Sequence, residues 1–165
     1  TGVAIGTDAL YQRVVREDRI QFAPVTHTHA ISTLARIENF KAINSCIEVD
    51  LFGQANAEFL NGKQVSGTGG LVDFLRGAQV APGGRGILAL ASTARRGTVS
   101  RIVPRLPQDA TSIARADVDT VVTEHGVAEL KHKSIEHRAE ALISIADPQF
   151  QEMLSARWFE IRKGL

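Results

Sequence analysis

A single cysteine, Cys46, stands in the 165-residue chain, so no disulfide can close within it. The apolar-rich run around it, Ile43 to Leu51, predicts a buried and inert thiol. A chain with no cross-linking cysteines suits a reducing cytoplasm. No apolar stretch is long enough to cross a bilayer, and the N-terminus lacks a basic-then-apolar leader, so neither a membrane partner nor secretion is expected. Charge is equally unmarked: 19 basic side chains against 18 acidic ones leave a net +1, which carries no general attraction for nucleic acid. The full Gly-x-Gly-x-x-Gly spacing of a dinucleotide site is missing, as is an acidic residue at the right distance beyond a strand. Repeats, low-complexity tracts and linkers are absent too.

What remains is the composition of an ordinary globular domain, 44% hydrophobic and long enough for one core. Thr1 is not a methionine, which raises the expectation of a longer parent chain. Thr7 can cap a helix carrying Leu10, Tyr11, Val14 and Val15 on one face, and Ile20 to Val25 then predicts a strand. His29 to Asn39 has helical spacing. Ala42 to Phe52 predicts a second, central strand, and Gly86–Ala91, Val99–Val103 and Val118–Thr123 predict further buried ones. Leu71 to Gly77 predicts a short helix or turn, and Ala81-Pro82-Gly83-Gly84 breaks the chain. Ser134 and Asp147 cap two closing helices, the second with an apolar stripe of Phe150, Leu154, Trp158, Phe159 and Ile161. The alternation is that of an α/β domain.

Four groups of residues can carry chemistry. Ser66-Gly67-Thr68-Gly69-Gly70 precedes a helix-compatible run, so its amides can cradle an anion or simply form a tight turn. Glu124 follows the strand-like Val121-Val122-Thr123, at the kind of strand end where ligands gather in α/β sheets; the alternative is an ion pair with an arginine that only fixes the turn. Ser92-Thr93-Ala94-Arg95-Arg96-Gly97 offers hydroxyls and guanidinium groups for a phosphate, or is a solvated turn. His27 and His29 would share one face of a strand, yet no third ligand sits at metal-binding spacing, so no metal is expected. Asn44 and Asp50 flank Cys46, where a hydrogen-bonded structural role is expected.

Taken in order, Asn44-Ser45-Cys46-Ile47-Glu48-Val49-Asp50-Leu51-Phe52-Gly53-Gln54-Ala55-Asn56, Ser66 to Phe74 with Arg76-Gly77-Ala78, Ser92-Thr93-Ala94, Ser100 to Pro104, and Val121 to Ala128 form one pattern. It resembles the C-terminal domain of the acetyl-CoA hydrolase/transferase family, from about Gly6 nearly to the end. The resemblance implies a three-layer α/β/α domain of CoA-transferase type with a mixed, mostly parallel sheet. It also implies acyl-CoA and a small carboxylate as substrates, no tightly bound cofactor, an N-terminal CoA-transferase domain as partner, and a homodimer.

In that family a glutamate attacks the thioester and passes through an acyl-glutamyl anhydride to a glutamyl-CoA thioester, which a carboxylate or water resolves. Glu48 is a chemical candidate for that nucleophile, but the resemblance puts the nucleophile in the upstream domain and gives Glu124 a supporting role. Gly70 with Gly69 then corresponds to the oxyanion donors, and Gly67, Ser92, Thr93 and Arg95 join them in holding CoA. Two departures stand out: Val25-Thr26-His27-Thr28-His29 replaces a segment with an Asn near the reactive centre, and His132 occupies a position where Gly is usual.

Overall fold

A computed structural model describes residues 3–107 and 110–165. Residues 108–109, within the polar stretch between two of the expected strands, lie outside the described residues. Helix α1 (Asp8–Arg16) starts where expected, with the Thr7 hydroxyl accepting from the Leu10 amide, but it buries none of its residues. The strand expected over Ile20 to Val25 does not form. Pro24 instead starts the single turn α2 (Val25–Thr28), and Phe22 and Val25 stay exposed, so these β-forming residues gain no packed sheet surface.

Of the helix expected from His29 to Asn39, only the turn α3 (Ile31–Leu34) is helical. Leu34 is its one buried residue. It lies against Gly77 of helix α4 (Leu71–Val80), where any side chain would overlap it. Asn39 then turns the chain with φ at 55° and donates its amide to the Pro82 carbonyl, so the breaker at 81–84 and the end of this segment meet.

In chain order the strands are β1 (Lys41–Ser45), β2 (Glu48–Asp50), β3 (Ala55–Asn56), β4 (Phe59–Leu60), β5 (Lys63–Gln64), β6 (Arg85–Ala89), β7 (Thr93–Ala94), β8 (Val99–Ser100), β9 (Ile102–Val103), β10 (Thr120–Thr123) and β11 (Gly126–Glu129). Four of them make the main sheet, ordered β1-β6-β10-β11. The first three run parallel, with Ile43 opposite Ile87 and Ile87 opposite Thr120, and β11 returns antiparallel. The sheet is therefore mixed and mostly parallel, and helices α4 and α5 (Ile135–Ser144) pack on it. Its parallel strands all end at one edge. There the chain delivers Asn44 and Ser45 at the end of β1, Ser92 after β6, and Glu124 after β10.

The run Ala42 to Phe52 is not one central strand. It breaks at Cys46-Ile47, leaving β1 at an edge of the main sheet and β2 in the middle of a second sheet ordered β3-β2-β9. Val99 to Val103 divides in the same way at Arg101, between the β7–β8 hairpin and β9. An apolar run reports burial, and each sheet buries its own share; the switch is fixed by distant backbone bonds, Ile47 to Asn56, Val49 to Arg101 and Leu51 to Val103. Cys46 sits at the first break, buried, and desolvation pushes its thiol up to about 12, which keeps it protonated and inert. Asp50 is structural as expected: its carboxylate accepts from the amides of Phe52, Gln54 and Leu106 and from the Gln54 side chain.

The two closing helices match their sequence signals. Ser134 caps α5 by accepting from the His137 amide, and its hydroxyl also meets His137 Nδ1 at 2.8 Å, so the histidine takes the place a capping-box carboxylate would hold. Asp147 caps α6 (Pro148–Arg162), which buries Leu154 and Trp158 but turns Phe159 outward. His132 has φ at 60°, in the left-handed region that favours glycine. His132→Gly is therefore expected to stabilise the chain by about 0.5–1 kcal/mol, read as a higher denaturant midpoint at unchanged slope.

Candidate functional site

The glycine loop runs from Ser66 to Gly70 and caps α4 without a side-chain hydrogen bond. Among the described residues, no hydrogen bond takes up the amides of Gly67, Thr68, Gly69 or Gly70, while the Thr68 and Gly70 carbonyls are engaged by Leu71 and Phe74. Free amides beside a helix N-terminus favour a negative charge. Gly69 adopts φ of 51°, and a side chain on Gly67 or Gly69 would meet no atom. Gly70 differs: its φ is negative, and a methyl there would collide with the His29 ring. Its smallness serves a close approach.

The loop faces a polar concavity of about 330 Å³, shared with Asn44 and Ser45 at the end of β1. Sequence reasoning gave Asn44 only a structural role. Its place at the carboxyl end of a parallel strand is the signal that marks it as a site residue.

Glu124 leaves β10 at the same edge and, among the described residues, pairs with no arginine. Its two oxygens accept from the Ser92 amide at 2.8 Å and the Ser92 hydroxyl at 2.7 Å. Those two bonds hold the carboxyl below its ordinary range, although it is nearly half exposed. The sheet explains the pairing, since β6 and β10 are hydrogen-bonded neighbours whose next residues must meet. His125 adds a flank: its Nε2 lies 3.9 Å from Glu124 Oε1 and 3.7 Å from Asp147 Oδ2.

Ser92 is fully buried, with both amide and hydroxyl committed to Glu124, and Thr93 is half-buried in β7. The turn beyond holds Arg95 and Arg96 at φ of 51° and 58°, both exposed, with the Thr98 hydroxyl donating to the Arg95 carbonyl. Two consecutive non-glycine residues in this region are costly, and the loop displays two guanidinium groups. Arg95 also reaches Asn61 Oδ1 at 3.4 Å, within the tight Asn61-Gly62 turn of the β4–β5 hairpin, whose two positive φ angles twist it as a hairpin requires.

His27 and His29 share no strand face, because both lie at the α2 turn. Thr28 Oγ1 bonds His29 Nδ1 at 2.9 Å, and the His29 ring sits edge-on to Phe74. No group of three metal-ligating side chains occurs among the described residues. Glu48, the other carboxylate considered, lies half-buried in β2. No helix among the described residues is long and apolar enough to cross a membrane.

Comparison with known proteins gives the family of the chain. Residues 6–158 match the acetyl-CoA hydrolase/transferase C-terminal domain. The 4-hydroxybutyrate coenzyme A transferase of Clostridium kluyveri is 45% identical over 151 residues, covering 91% of this chain and 35% of its own length. The acetyl-CoA hydrolase of Saccharomyces cerevisiae is 34% identical over 69% of this chain and 22% of its own. RipA from Yersinia pestis superposes with a TM-score of 0.90 at 35% identity, over 96% of this chain and 36% of RipA. A 4-hydroxybutyrate CoA-transferase structure from Porphyromonas gingivalis gives 0.79 at 40% identity, over 97% of this chain and 36% of that one. The chain thus spans about a third of the length of the transferases it matches. It belongs to the acetyl-CoA hydrolase/transferase family and corresponds to that family's C-terminal domain.

Proposed function

We propose that this chain is the C-terminal part of an acyl-CoA:carboxylate CoA-transferase or acyl-CoA hydrolase, completed by an upstream domain that brings the nucleophilic glutamate. Attack on a thioester builds charge on the carbonyl oxygen, and preorganised amides stabilise such an oxyanion by about 3 kcal/mol. The untaken amides of the glycine loop, opposite Asn44 and Ser45, are the observation that carries this reading. Gly69 and Gly70 supply the donors. Arg95 holds a CoA phosphate on its exposed turn, Thr93 lines the approach, and Ser92 acts through Glu124, which it keeps ionised beside the reacting groups.

The length of the relatives supports a missing partner, and so does α1, an amphipathic helix that fully buries none of its residues in this domain. Several other large apolar side chains, among them Ile5, Phe22 and Ile43, also stand exposed. The same surface could pair two copies as a homodimer. The acyl donor and acceptor classes follow the relatives, whose names span butyryl-CoA, succinyl-CoA and acetate.

Calorimetry with coenzyme A tests the binding half of this reading. The chain is expected to bind CoA, with affinity falling about tenfold in Arg95→Ala and in Gly70→Val, the second through the displaced His29 ring as well as the crowded loop. Absence of binding, with the upstream domain supplied, would contradict it. Binding without turnover in that completed protein would favour a non-catalytic CoA-binding module instead.

A further inference from the structure

A basic concavity of about 320 Å³ lies at the edge of the main sheet opposite Ser92 and Glu124. Strand β11 runs antiparallel to β10 and returns the chain to that edge, where the Leu130 and Lys131 amides both donate to the Asp119 carbonyl just before β10 begins. The turn that follows sets Lys131, His132 and Lys133 along the concavity, and Arg138 lines it from α5. Gln79, near the end of α4, and Asp119 complete it. Arg138 is the unusual member. It is only 8% exposed, yet among the described residues it has no ion pair, and its one hydrogen bond is a long one, from Nη1 to the Phe52 carbonyl at 3.4 Å. Gly53, with φ at 83°, makes room for it, since a side chain there would overlap Nη1. A guanidinium carries several further N–H donors in a rigid fork, and here they find no protein acceptor. Asp119 is not its counter-ion: that carboxylate accepts from Gln79 at 3.2 Å and from the Gly86 amide at 3.3 Å, with Lys131 Nζ at 3.9 Å. Burial, and then the charge of nearby Arg115, hold the Arg138 pKa below the ordinary arginine value, with Asp119 opposing them. A cation taken out of water without a partner is costly, and an anion in the concavity would relieve that cost.

We propose that this concavity is a binding site for a phosphoryl oxyanion, free phosphate or the phosphate of a small monoester, held by Arg138 within and by Lys133 and His132 at the rim. Lys131, Lys133 and Arg138 face the single carboxylate of Asp119, and that excess of positive charge matches a dianion better than a monocarboxylate. The planar fork of Arg138 suits two oxygens of one phosphate. The left-handed backbone of His132 gains a purpose here, since the histidine costs stability where glycine would not and places an imidazole at the rim. The length of β10 separates this site from Glu124, and the assignment does not depend on the CoA reading above.

The test is an NMR titration of the 15N-labelled chain with inorganic phosphate and with glycerol 3-phosphate, each against chloride at matched ionic strength. The amides of Gly53, Lys131 to Ser134 and Arg138 should shift and saturate, and the melting temperature should rise by about 4 °C at ten times the dissociation constant. Lys133→Ala, at an exposed position, should weaken binding about tenfold. His132→Gly separates binding from structure: it should raise the stability of the free chain and weaken phosphate binding about threefold, whereas a purely structural histidine would move stability alone. Glycerol 3-phosphate binding at least as tightly as phosphate identifies a monoester site, and phosphate binding alone identifies a site for the free anion. No saturable shift, equal shifts with chloride, shifts confined to the Arg95 turn, or binding unchanged in both variants would overturn the site and leave the CoA reading intact.

Discussion

Replacing Glu124 with glutamine is expected to lower kcat about a hundredfold in the protein completed by its upstream domain, with KM for the thioester changed far less. Glutamine keeps an oxygen for the Ser92 amide and can donate to the Ser92 hydroxyl, so the junction between β6 and β10 survives while the charge is removed. The pH profile separates this from damage to the fold. Because the Ser92 bonds lower the Glu124 pKa, the carboxylate stays ionised at pH values where an ordinary one begins to protonate, and its contribution is lost only as pH falls through the lowered value. Ser92→Ala removes the main cause and should move the acid limb of kcat upward, whereas Glu124→Gln should abolish that limb. His125 also faces the carboxylate, with Asp147 on the same imidazole nitrogen, and His125→Asn provides the control for the imidazole. A Glu124→Gln enzyme with unaltered kcat would remove this residue from the chemistry.

Leu75→Ala carries the largest expected loss of stability. Leu75 is fully buried on α4, the helix whose first turn the glycine loop begins, and it packs over β6 so closely that a methyl on Gly86 would lie 3.0 Å from its Cδ2. Removing three carbons there forfeits their transfer energy and leaves a cavity between two regular elements that cannot easily collapse, a cost of about 2–5 kcal/mol. For a domain of this size the melting temperature should fall by about 10 °C. Thermal and urea unfolding monitored by circular dichroism check the value, and a loss below about 1 kcal/mol would show that α4 is not anchored as described.

The closing helices were legible because their signals are local: a serine or aspartate cap, a proline in the first turn, and an apolar stripe. The break at Cys46-Ile47 was not, since nothing in a continuous apolar run tells which of two sheets each half joins. Likewise the sequence puts both histidines on a strand that does not form, while the ring contacts of His29, with Gly70 and Phe74, lie more than forty positions on. Glu124 could be marked from its place after a β-rich run. That its partner is Ser92 rather than an arginine depends on β6 and β10 being neighbours, which is a property of the fold. Asn44 was missed because it sits inside an apolar strand and reads as a core residue until the strand ends are brought to one edge.

The most direct test of the account is acetyl-CoA and butyryl-CoA turnover, with a carboxylate acceptor and without one, by this chain alone and after the upstream domain is supplied. The isolated chain should be inert and the completed protein active, with the acceptor dependence separating transfer from hydrolysis. Robust turnover by the 165 residues alone would contradict the assignment of the nucleophile to the upstream domain.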